Sequence, residues 1–293
     1  MLVGVVSAKG SPGATTLGMG VAARWPGGPG VLVEADPAGG DLAARFGLAQ
    51  GPGLAAMAVA ARHSDQRPDP ATWTRTLPLG VHVVPAVPGG AAAVAVSALV
   101  GHGNRLLEAL AGAYPVVVVD AGRWAPGSPA NGLLAHCQVV LLVARPVLEQ
   151  IRQCEALVGP LRRLVGDVRL LLVGERGGWP AAEVGAALGL PVAGVLPHDV
   201  EGAGVLTGRL VPRNGFRARG LSSWTRLPLS RACHSLARAL APDPPASEEP
   251  KAPAAPGAAA ADGLTPARPA GGPGPWADLA ASPRTSSGRG VRP

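Results

Sequence analysis

Short runs of apolar residues recur along the chain, and most show no alternation between apolar and polar positions. The strands they predict lie in Leu2–Val6, Val31–Pro37, Val81–Pro85, Tyr114–Asp120, Gln138–Val143, Val168–Val173 and Pro191–Pro197. A strand that is apolar on both sides is buried on both faces, as strands are in a parallel sheet covered by helices. Between these runs the spacing predicts helices over Leu17–Arg24, Ala91–Leu110, Glu149–Val165, Ala181–Leu188 and Pro228–Leu240, with a short one within Gly39–Leu48. In the last of them Leu229, Cys233, Leu236 and Leu240 fall on one face at helical spacing. Gln50 to Gly80 reads as mixed helix and loop. Strands alternating with helices predict right-handed crossover units. The expected fold class is therefore α/β, a mostly parallel twisted sheet with helices on both faces.

Composition adds three points. Aromatic residues are only 3% while the hydrophobic fraction is 47%, so Val, Leu and Ala must build the core. From about Pro242 the chain turns to Pro, Ala, Gly and Ser, which carry too little apolar area to offset ordering entropy. The expected organisation is one domain over 1–241 and a disordered tail over 242–293. Three scattered cysteines without a C-x-x-C pair argue for a reducing, cytoplasmic setting and against zinc or iron–sulfur ligation. The first apolar run has no basic flank and breaks at Lys9-Gly10-Ser11-Pro12, unlike a signal peptide. No apolar run reaches the ~18–20 residues that cross a bilayer, so a membrane role is not expected.

The formal net charge is +7. Asp and Glu are absent from Gly202 to Pro242, an interval holding Arg209, Arg213, Arg217, Arg219, Arg226, Arg231 and Arg238. Such a block can hold DNA phosphates without sequence preference, or an acidic partner protein, or stand as a solvated face.

The candidate chemistry lies at strand ends. Ser7-Ala8-Lys9-Gly10-Ser11-Pro12-Gly13-Ala14-Thr15-Thr16 joins the first strand to the first helix. Strand, glycine loop, hydroxyl pair and helix make a phosphate cradle, with backbone N–H groups aimed at one anion. Lys9 is the only lysine before the tail, in a chain that otherwise uses arginine. Glu34 and Asp36 follow the second strand, and Asp120 follows the valine strand. Magnesium on a polyphosphate takes oxygen ligands, and Thr15, Asp36 and Asp120 supply them. Each acid also has a plainer use, Asp36 as a turn former and Asp120 as a helix cap.

The loop resembles that of the ParA/MinD-type ATPases with a deviant Walker A motif, K-G-G-x-G-K-[ST], here Lys9-Gly10-Ser11-Pro12-Gly13-Ala14-Thr15. Four further elements are similar and in the same order: Glu34-Ala35-Asp36-Pro37, Asp120-Ala121-Gly122, Val143-Ala144-Arg145-Pro146 and Gly194-Val195-Leu196-Pro197-His198-Asp199. The resemblance implies a P-loop fold, ATP and Mg2+ as cofactors, and a homodimer that acts in partitioning or positioning. It places Lys9, Gly10, Ser11, Gly13, Ala14, Thr15 and Thr16 around the phosphates, and Pro197 and Asp199 near the adenine. It gives Lys9 a catalytic role toward the facing subunit and Asp36 one toward the attacking water. Ala14 stands where the family carries its second lysine. Three readings follow: a slow ATPase, a nucleotide switch without turnover, or a pseudo-ATPase scaffold that docks partners.

Overall fold

The computed structural model describes residues 1–9, 13–49, 51–63, 69–99, 103–174, 178–210 and 224–242. All of them lie within the first of two units, Met1–Asp243, so the expected tail lies outside the described residues. Eight strands form one sheet: β1 (Leu2–Ser7), β2 (Val31–Glu34), β3 (Arg75–Thr76), β4 (His82–Val84), β5 (Val117–Arg123), β6 (Val139–Ala144), β7 (Val168–Val173) and β8 (Val192–Leu196). Their order is β3-β4-β2-β5-β1-β6-β7-β8. Every pairing is parallel except β3 on β4.

All six residues of β1 are buried, as both-face apolarity demands, and β1 sits between β5 and β6. Side chains alternate between two cores. Val31, Val33, Val117, Val119, Val140 and Leu142 face one layer. That layer holds α3 (Leu54–His63), α4 (Ala91–Leu99), α5 (Gly103–Ala113), α6 (Asn131–Leu134), α7 (Leu148–Leu164) and α8 (Ala181–Leu188). Val3, Val5, Leu32, Val118 and Leu141 face the other, under α1 (Ala14–Ala23), α2 (Leu42–Arg45), α9 (Val200–Leu206) and α10 (Pro228–Leu240). Leu229, Cys233, Leu236 and Leu240 are all buried there, as their spacing predicts.

Three elements depart from the periodicity. Ala91 to Leu110 holds two helices, one ending at Leu99 and one beginning at Gly103, a weak helix former, with residues 100–102 outside the described residues. β3 has two residues, too few for any period to register. α9 is set by a cap rather than by a pattern: Asp199 accepts from Gly202 N–H at 2.8 Å. Among the described residues no helix is long and apolar enough to cross a membrane.

α1 and α10 touch across Gly20, where an added Cβ would lie 2.4 Å from Cys233 Sγ. A Gly20→Val variant must push α10 off the sheet. It is expected to lose about 1–3 kcal/mol of stability in urea denaturation. A loss within error would show that α10 yields freely.

Candidate functional site

The first turn of α1 carries no acid, and its N-cap Gly13 provides no side-chain cap. The first N–H groups of α1 therefore lack intrahelical partners and favour an anion. Gly13 enters the helix with φ 99°, a left-handed conformation, and its carbonyl accepts from Leu17 N–H at 2.8 Å. Ala14 is buried, Thr15 and Thr16 are half-buried, and Lys9 is exposed at the rim. Gly10 and Ser11 lie outside the described residues.

Strand alternation brings three polar groups to the same face of the sheet as α1. Val5 and Val118 face the α1 layer, so Ser7 and Asp120, two residues on, face it too. Leu32 does the same for Glu34, and Glu34 is paired in register with Asp120. Asp120 is buried. Its Oδ1 accepts from Gly122 N–H at 3.0 Å, and the Thr15 hydroxyl donates to the same carboxylate. Burial pushes the Asp120 carboxyl up to about 6 against those two hydrogen bonds, and the neighbouring Asp36 charge adds to the rise.

Asp36 meets Asp120 over Gly122. Its Oδ1 accepts from Ala38 N–H at 2.8 Å. A Cβ built on Gly122, whose φ is +60°, would fall 1.9 Å from Asp36 Oδ2. Burial raises the Asp36 carboxyl above its usual range, with Asp41 contributing. Thr15 and Asp36 thus both lie close to Asp120. A Gly122→Ala variant meets both the left-handed backbone and the Asp36 carboxylate. It is expected to lose about 2 kcal/mol of stability in urea denaturation. An unchanged midpoint would show that the Asp36 side chain moves away at no cost.

Two other acids are used differently. Glu34 accepts three backbone N–H groups: Asp41 at 2.9 Å and Leu42 at 3.0 Å on Oε1, and Ala86 at 3.0 Å on Oε2. Its carboxyl is raised, burial outweighing those hydrogen bonds. Asp199 caps α9 and also accepts from Leu229 N–H at 3.0 Å, tying the start of α10 to the end of β8. Pro197 follows β8 directly. Periodicity does not single out Arg45. It pairs with Asp41 at 2.7 Å, and only their four-residue separation on a short helix signals the contact.

Among the described residues no group of three or more His, Cys, Asp and Glu side chains could hold a metal. The oxygen set of Thr15, Asp36 and Asp120 still fits magnesium. That ion keeps waters and phosphate oxygens and needs only one or two protein ligands. A cavity of about 320 Å3 between α7 and α8 contains none of these groups. The cysteines offer no nucleophile: burial pushes the Cys137 and Cys233 thiols up to about 12 and Cys154 to about 11. Arg209, Arg226, Arg231 and Arg238 are exposed, while Arg213, Arg217 and Arg219 lie outside the described residues.

No protein-family model matches the sequence, and no curated protein matches it. Solved structures do. A ParA family ATPase from Chlorobium tepidum TLS superposes with a TM-score of 0.64 at 17% identity, covering 81% of this chain and 97% of that one. The MinC:MinD cell division protein complex of Aquifex aeolicus gives 0.60 at 18%, covering 81% and 93%. The septum site-determining protein MinD of Pyrococcus horikoshii OT3, complexed with Mg-ADP, gives 0.60 at 15%, covering 80% and 93%.

Proposed function

We propose that this chain, whose fold is that of the ParA/MinD ATPases, binds Mg-ATP where β1 meets α1 and uses it as a dimerisation switch. The observation that carries the reading is the meeting of Thr15, Asp120 and Asp36 under the open N-terminus of α1. Backbone N–H groups of that turn hold the phosphates. Thr15 and Asp120, hydrogen-bonded to each other, turn their oxygens to magnesium, and Asp36 orients a water. Magnesium, when held there, would supply neutralisation of phosphate charge. Lys9, exposed at the rim, reaches the phosphates of a facing subunit. Pro197 and Asp199 close the adenine side.

Ala14 provides no ammonium for the terminal phosphates, so hydrolysis is slow or absent. The switch would serve chromosome partitioning, septum positioning or the placing of a pilus or secretion apparatus. Arg209 and Arg226, with Arg213, Arg217 and Arg219, would give the dimer a non-specific grip on DNA. Titration calorimetry with Mg-ATP, and sedimentation with and without it, test this. Lys9→Ala and Asp120→Ala should abolish ATP-dependent dimerisation. A dimer indifferent to ATP and to both changes would overturn it.

A second reading is favoured by Ala14 alone: a pseudo-ATPase scaffold that docks partner proteins without turnover. Absence of any Mg-ATP effect on melting, with partner binding retained, would select it.

A further inference from the structure

We infer that the groove between α7 and α8 is a contact surface for a second copy of this chain, formed without nucleotide. Both helices lie in the layer on the opposite side of the sheet from α1. The contact is therefore separate from the cradle and does not rest on the Mg-ATP reading.

The groove is built into the fold. β6 and β7 are parallel neighbours, so the helices that follow them, α7 and α8, run the same way side by side. Main chain locks their starts together. Trp179 N–H donates to the Pro146 carbonyl at 2.8 Å, and a Cβ built on Gly178 would fall 2.5 Å from Pro146 Cγ. Leu148, Ile151, Trp179, Val184 and Leu188 line a cavity of about 320 Å3. Val184 and Leu188 are buried, whereas Leu148 is 55% and Trp179 53% exposed. A large indole half in water beside an apolar cavity marks a contact site.

The rim identifies the occupant. It carries Arg152, Glu155 and Glu183, two signs on one small patch. The carboxylates repel nucleic acid, and a partner of a single charge sign meets repulsion from part of the rim whichever sign it carries. A rim of mixed sign around an apolar centre is complementary to itself, as a twofold contact requires, because the same patch serves on both sides. An axis running along the groove sets α7 of each copy over α8 of the other. Arg152 is the fifth residue of α7 and Glu183 the third of α8, so both stand within about one turn of their helix starts. They then face each other across the contact, once on each side of the axis. The same axis brings Trp179 over Leu148 of the other copy, apolar on apolar. Glu183 is exposed and, among the described residues, has no ion-pair partner within the chain. Arg152 holds only Glu155, on its own helix, at 2.8 Å.

The test is sedimentation of the full chain without nucleotide over a dilution series. The parent should show a monomer–dimer equilibrium. Trp179→Ala should weaken it ~30-fold or more, the loss for a central aromatic anchor. Glu183→Arg sets arginine against Arg152, and Arg152→Glu sets glutamate against Glu183. Each alone should weaken self-association ~10-fold or more. Mixed in equal amounts, the two variants should pair with parent-like affinity, because each offers the sign that the other lacks. That rescue requires both to be folded and is specific to α7 lying over α8. A dimer that Trp179→Ala or either charge change leaves intact, or charge variants that do not pair on mixing, overturns the contact. So does a parent that stays monomeric: Trp179 open to acrylamide quenching then leaves the groove to a different protein, and Trp179 shielded means that the chain covers the groove itself. Mg-ATP is added last. Pairs that associate further with it support the switch as well. Pairs whose size ignores it overturn the switch and leave this contact standing.

Discussion

An Asp120→Asn variant melts at a higher temperature than the parent when no nucleotide is present, and Mg-ATP no longer raises its melting point. The first half follows from burial. The Asp120 carboxyl is pushed up to about 6 in the folded protein, from near 3.9 in an unfolded chain. A carboxyl raised on folding contributes stability that is fully present below the unfolded value. That contribution is lost as pH climbs through the folded one. Above pH 6 the folded chain must hold a charge out of water. Asparagine removes the charge and keeps both contacts, its oxygen accepting from Gly122 N–H and its amide donating to Thr15. The gain approaches about 2–3 kcal/mol at pH 7.5 and vanishes near pH 4. Urea denaturation of both proteins at pH 4.5 and 7.5 checks it. A difference that stays constant between the two would show that the hydrogen bonds, not the charge, set the effect. The second half rests on the proposed site: a carboxamide would not offer magnesium the anionic oxygen that the proposal asks of the Asp120 carboxylate. Stability and ligand response thus move in opposite directions at one position.

Glu34→Ala is expected to be the most damaging single change at this end of the sheet. Its two oxygens take three backbone N–H groups, those of Leu42 and Ala86 in buried hydrogen bonds and that of Asp41 in a part-buried one. Removing the carboxylate leaves all three without an acceptor, at about 1–3 kcal/mol each where water cannot enter. A loss on the order of 3–6 kcal/mol is comparable to the whole stability of a domain. Glu34→Gln is the informative companion. Its oxygen can still serve Asp41 and Leu42, but its NH2 then faces the Ala86 N–H, donor against donor. Its expected cost is about 1–3 kcal/mol. Hydrogen exchange at Leu42 should quicken far more in Glu34→Ala than in Glu34→Gln. Equal exchange in the two variants would mean that α2 is held by Leu42 packing instead.

These two acids show what a sequence discloses and what it does not. β1, β5 and β6 were readable because burial on both faces leaves a run that nothing else explains. Gly13, Thr15, Asp36 and Asp120 were readable as candidates because strand ends and loop glycines are visible in one dimension. Glu34 and Asp199 were not separable from them: an acid that holds backbone N–H groups and an acid that faces a ligand look alike until partners are known. The two-residue β3 and the capped α9 escaped because neither is long enough to carry a period.

The position of β1 has a consequence for synthesis. Leu2–Ser7 is made before either of its neighbours, and both, β5 and β6, are encoded more than a hundred residues later. Until the ribosome has released Val117–Arg123, this fully buried strand has no neighbour to pair with. Long-range closure of this kind is slow and leaves nascent chains prone to association. A chaperone that shields the first ribbon during translation should raise the yield of this protein more than one added after release.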